Sequence, residues 1–159
     1  MKKLLLVSLL LISTLAYSQV EKGDFTTQAS VTFQSMDGLE IGLIFAKAGY
    51  FFTDNIEAGS SLNVIFAAGE TGTGIGPFAT YNFLLPDGKM LPYAGVQFSL
   101  FSFGGLNINS GGLYGGAKYF LTEAVNVDGA LSIQQGFGDF DGTIVSVTIG
   151  VGIILGKLK

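Results

Sequence analysis

From Val145 to Leu155 every second residue is aliphatic: Val145, Val147, Ile149, Val151, Ile153 and Leu155 share one face of an extended chain, and Ser146, Thr148, Gly150 and Gly152 share the other. Side chains of a strand alternate between faces, so this pattern specifies a β-strand with one wholly apolar, uncharged face. What that face packs against decides the fold.

The N-terminus narrows the choice. Lys2 and Lys3 precede an apolar run from Leu4 to Ile12, and Ala16-Tyr17-Ser18 places small residues where signal peptidase reads them. The pattern is that of a secretory signal over residues 1–18, with the mature domain expected over 19–159. An exported chain that is 48% hydrophobic and 13% charged, with a mean hydropathy of +0.53, is expected to meet lipid. After residue 20 no unbroken apolar segment reaches the roughly 18 residues a spanning helix needs. In hydrocarbon every backbone polar group must be satisfied within the protein, which leaves the closed β-barrel as the other spanning solution.

The mature sequence supplies eight alternating segments. The first sets Phe25, Ala29, Val31 and Phe33 against Thr26, Gln28, Ser30, Thr32 and Gln34. The third opposes Ala58, Leu62, Val64 and Phe66 to Glu57, Ser61 and Asn63, and the seventh opposes Val127, Leu131 and Ile133 to Asn126, Asp128, Ser132 and Gln134. The fourth (75–85) and fifth (91–103) follow the same rule, while the second (39–52) and sixth (112–121) have inner faces rich in glycine or aromatic residues. The expected fold is therefore all-β: an eight-stranded antiparallel up-and-down transmembrane β-barrel, apolar outside and polar inside.

The turns set the orientation. Thr53-Asp54-Asn55, Thr122-Glu123-Ala124 and Pro86-Asp87-Gly88-Lys89 are tight connections on one side, the side of both termini, expected to be periplasmic. Tyr50, Phe52, Tyr81, Phe83, Tyr93, Tyr119 and Phe120 gather near those turns and are expected to form an aromatic girdle at headgroup level. The opposite connections, around 37–38, 69–74, 104–110 and 138–142, are expected to be short exterior loops.

Counting across the turns places Lys118 opposite Asp128 and Lys47 opposite Ser61, with Glu57 one or two layers nearer the periplasm. Lys118, Asp128, Lys47 and Glu57 are expected to face the lumen, Lys118 and Asp128 as a cross-strand ion pair. Eight strands leave an interior just wide enough for side chains, so these charges fill the core rather than conduct.

GYFFTDNIEAG (49–59), GPFATYNF (76–83), LPYAGV (91–96), GAKYFLTE (116–123) and TIVSVTIGVGIILGK (143–157) together resemble the small porin-like outer-membrane β-barrels of Gram-negative bacteria. The resemblance implies an outer-membrane location, delivery by periplasmic chaperones and the barrel assembly machinery, and outer-membrane lipids as surroundings. It implies nothing about activity, because such barrels host several. Many of them end on an aromatic residue, whereas this chain runs past Leu155 to Gly-Lys-Leu-Lys.

The chain contains no His and no Cys, which removes the usual general base and the thiol nucleophile and excludes a Ser-His-acid enzyme. A Ser61–Lys47 dyad reads more simply as a lumen hydrogen bond, so no catalytic residue is assigned. Gly69 to Gly76 lacks the lysine and the following helix of a phosphate-binding loop and reads as a hairpin loop. Asp139 and Asp141 supply too few oxygens for calcium, and no metal ligand or cofactor is expected. A net charge of −4, with lysine as the only basic residue, argues against a nucleic-acid partner.

The leading expectation is a non-enzymatic barrel with a structural or small-solute role in the envelope. Two alternatives stand beside it. One is lateral passage of a small hydrophobic solute through a gap marked by Gly111, Gly112, Gly115 and Gly116. The other is a soluble exported barrel around an apolar ligand, which would turn the apolar faces inward.

Overall fold

The computed structural model describes residues 20–36, 39–67, 70–103, 106–139 and 141–157. Eight strands follow in order: β1 (Asp24–Met36), β2 (Leu39–Phe51), β3 (Ile56–Ala67), β4 (Glu70–Asn82), β5 (Met90–Phe103), β6 (Leu106–Phe120), β7 (Val125–Gly138) and β8 (Thr143–Lys157). Each pairs antiparallel with the next, and β8 returns to β1, closing an up-and-down barrel. Closure leaves no unpaired edge, the condition for crossing hydrocarbon with strands.

The tight connections are as the turn chemistry predicts. Phe52 N donates to Ile56 O at 2.9 Å and Leu121 N to Val125 O at 2.8 Å, so 53–55 and 122–124 are matched three-residue turns. In each, the threonine hydroxyl accepts from the backbone N–H three residues on: Thr53 from Ile56 and Thr122 from Val125. In the third turn Gly88 takes a φ of 63°, which glycine adopts without steric cost. The predicted registers hold: Lys47 faces Ser61 and Lys118 faces Asp128. Where β8 closes on β1 the register shifts between Phe25 and Thr26, and Gly156, at φ 71°, bends the strand there.

At the mouth away from the termini the strands run further than the glycine-rich sequence suggests. β4 begins at Glu70 and β6 at Leu106, so most of 69–74 and 104–110 is ladder rather than loop. Thr71, Thr73 and Ile75 face outward while Gly72, Gly74 and Gly76 are buried inside, so the threonines supply β propensity. Gly74 leaves room for Phe101, whose ring lies 2.6 Å from where a Cβ would stand.

The burial pattern is inverted relative to a soluble protein. Leu113, Leu131 and Ile133 are 68%, 63% and 63% exposed, and the outward row of β8 from Val145 to Leu155 is exposed throughout. The charged residues whose exposure is described either lie near the barrel ends or point inward, so the wall between is an uncharged apolar belt. A contiguous surface of that size suits lipid, not water. The soluble ligand-binding alternative, which needs the reverse pattern, is overturned by these orientations.

Candidate functional site

Among the described residues, the polar interior is where charged and polar side chains converge. Lys47 on β2, Glu57 on β3, Lys118 on β6 and Asp128 on β7 all point inward; Glu57, Lys118 and Asp128 are buried. Two ammonium groups and two carboxylates sum to zero charge.

Lys118 does not pair with the residue opposite it in register. Its Nζ lies 2.7 Å from Oε2 of Glu57, across the lumen, and this is the one ion pair among the described residues. Asp128 instead accepts the Tyr93 hydroxyl at 2.7 Å through Oδ1. Adjacency on a sheet fixes where strands run, but a long lysine side chain in a narrow barrel meets groups from non-neighbouring strands. Glu57 is anchored a second time, through Oε1, by the Thr26 hydroxyl at 2.5 Å. With both oxygens engaged, it is the better-prepared counter-ion.

Aromatic rings fill the space between the charges. Lys118 Nζ stands 5.7 Å from the centre of the Phe51 ring and 5.6 Å from that of Tyr93. Lys47 Nζ stands 4.6 Å from Tyr114 and 5.3 Å from Phe78. These are cation–π distances, and they let an ammonium sit among apolar rings without a carboxylate in contact. Tyr114 in turn hydrogen-bonds Thr80.

Above and below this layer the lumen is stopped by apolar groups. At the mouth where β1 begins and β8 ends, Val20, Phe51, Leu91 and Phe120 form a buried cluster, with Leu84 and Ile154 packed against it. At the other mouth Leu43 and Phe101 pack with Phe45 and Ile108. The space left among the charged residues is a cavity of about 20 Å³. That is room for about one water molecule. At this level the interior is filled by side chains.

Two residues expected in the girdle belong to this interior. Tyr93 is 5% exposed and holds Asp128; Phe120 is buried in the terminal stopper. Along β5, Tyr93 has the parity of Gln97 and Ser99, and along β6, Phe120 has the parity of Lys118, so alternation points both inward although they lie near turns. The other five girdle residues, Tyr50, Phe52, Tyr81, Phe83 and Tyr119, are exposed near the turn ends. Tyr50 packs edge-on against Phe52 at 5.0 Å between centroids, and Tyr81 against Phe83 at 5.1 Å. Phe51, Phe78 and Tyr114 also belong to this interior, in parity with Lys47, Thr80 and Lys118 along their strands, and Phe51 and Tyr114 are among the aromatic residues expected on the inner faces of the second and sixth segments.

The glycines of β6 mark close approach rather than a gap. A Cβ on Gly112 would lie 2.1 Å from Ile133 O, and one on Gly116 would lie 2.1 Å from Gly129 O. The 69–76 segment is no phosphate loop, since Glu70–Gly76 lies within β4. Asp139 Oδ2 accepts the Asn107 N–H at 2.9 Å and Asp141 Oδ1 the Gln135 amide at 3.1 Å, so each carboxylate is tied to the barrel wall.

No protein-family model matches the sequence, and no curated protein matches it. Solved structures do. The N-terminal barrel domain of Pseudomonas aeruginosa OprF superposes with a TM-score of 0.65 at 22% identity, covering 84% of this chain and 98% of that one. Neisserial surface protein A superposes at 0.63 and 19% identity, with coverages of 82% and 95%. The attachment invasion locus protein of Yersinia pestis superposes at 0.51 and 14% identity, with coverages of 84% and 99%. The fold is that of the small eight-stranded outer-membrane barrels. At these identities the likeness extends to the fold, and the lumen of this small barrel stands on its own residues.

Proposed function

We propose that the protein is a non-enzymatic integral outer-membrane barrel with a structural role in the envelope, its lumen sealed against solutes. The filled interior carries this reading: two apolar stoppers enclose a neutral charge network around a cavity of about 20 Å³. A cavity of that size holds neither a substrate nor a hydrated ion, and the chain offers neither His nor Cys as base or nucleophile. Outer-membrane lipids surround the apolar belt. The tight-turn mouth and both termini face the periplasm, and periplasmic chaperones with the barrel assembly machinery deliver the chain.

Planar-bilayer recording of the refolded barrel, with liposome swelling in small sugars, tests the reading. The expected result is no stable conductance step and no swelling above protein-free liposomes. Reproducible open channels, or sugar uptake, would replace the structural role with a transport one.

A further inference from the structure

Lys47 is the lumen charge without a direct partner. Its ammonium has three donors, and no hydrogen bond or ion pair to it forms among the described residues. Gln28, its register partner on β1, has a buried Nε2 that approaches Asp128 without closing a well-formed hydrogen bond to it. Opposite stands Asp128, of which Tyr93 engages Oδ1 alone. All three residues line the 20 Å³ cavity.

β8 pairs Gly150 with Asp128 and Gly152 with Asn126; Ser30 and Gln28 pack over the first glycine and the Asn126 amide over the second, so side chains of neighbouring strands shape this side of the cavity. Val20, 1% exposed, lines the cavity.

We propose that this cavity is a binding site for one water molecule, which accepts from Lys47 and Gln28 and donates to Asp128. Two unused donors call for an acceptor, and a carboxylate calls for a donor; water is both. A volume of about 20 Å³ exceeds the roughly 10–15 Å³ one water requires and offers the two to four polar partners it needs. A halide fits the donors but faces the Asp128 carboxylate and unbalances a lumen whose four charges already cancel. A metal cation faces the Lys47 ammonium. The water makes Lys47 and Asp128 the second charge couple of the interior, hydrated where Lys118 and Glu57 are in direct contact.

The test is a crystal structure of the folded barrel, grown with bromide, and water-to-amide NOE measurement in detergent micelles. The expected result is a solvent peak within hydrogen-bond reach of Lys47 Nζ, Gln28 Nε2 and Asp128, without anomalous signal, and an NOE from water to the Gln28 side-chain amide. In Lys47→Met, checked for folding by heat-modifiable gel mobility, that peak and NOE are lost. If Lys47→Met does not fold, Gln28→Leu is expected to lose the peak instead. Direct contact between Lys47 Nζ and Asp128, a bromide peak in the cavity, or no solvent peak and no NOE overturns the proposal.

Discussion

Removing either end of the Lys118–Glu57 pair should destabilise the barrel far more than removing both. The two groups are buried and meet at 2.7 Å. Lys118→Met leaves the Glu57 carboxylate with only the Thr26 hydroxyl, and Glu57→Gln leaves an ammonium over the Phe51 and Tyr93 rings. Breaking a buried pair from one side costs about 3–5 kcal/mol, because the remaining charge is uncompensated. With a urea slope of about 1–3 kcal/mol/M, a loss of that size lowers the unfolding midpoint by at least about 1 M. The double variant replaces the pair with neutral groups of similar volume and should fall close to wild type, giving a coupling energy of several kcal/mol. Unfolding is followed by far-UV circular dichroism and gel mobility in micelles, since the chain has no tryptophan. The same cycle on Lys118 and Asp128 should show the smaller coupling. Single variants within about 0.5 kcal/mol of wild type, or additive losses in the double, would refute the pairing.

Tyr93→Phe removes the hydrogen bond to Asp128 and should cost about 1.5–3 kcal/mol in the same unfolding assay, whereas Tyr81→Phe at the exposed girdle should change stability by less than about 0.5 kcal/mol. Leu131→Arg places a charge on the lipid-facing wall and should cost about 2–4 kcal/mol in bilayers, read from equilibrium refolding into vesicles. Gly76→Val should abolish the folded gel band, because even a Cβ at that position would stand 1.8 Å from Phe98 O.

Much of this architecture is written in the residue order, since alternation and turn length are local properties. The three-residue turns set the register of Lys47 against Ser61 and Lys118 against Asp128 by counting alone. The partner of Lys118 was not legible in that way, because Glu57 lies three strands away and meets it only after the sheet closes. Tyr93 and Phe120 lie near turns, which suggests the girdle, but parity along their strands turns both inward, and parity is the stronger constraint in a barrel. The full lengths of β4 and β6 are hidden in the sequence because glycine and asparagine ordinarily signal loops, whereas here Gly72, Gly74 and Gly76 are buried inside the wall and Asn107 and Asn109 continue the ladder. The Val20 stopper has no local signature, because a single valine outside the first strand gains its role only from the mouth it closes.

The central claim is that this chain crosses the outer membrane as a closed barrel. Its most direct test is expression of the full-length chain, fractionation of the envelope, and gel mobility of the outer-membrane fraction before and after boiling. The account predicts a carbonate-resistant protein in that fraction whose unboiled band migrates faster than the boiled one. A soluble periplasmic product with a single mobility would contradict it.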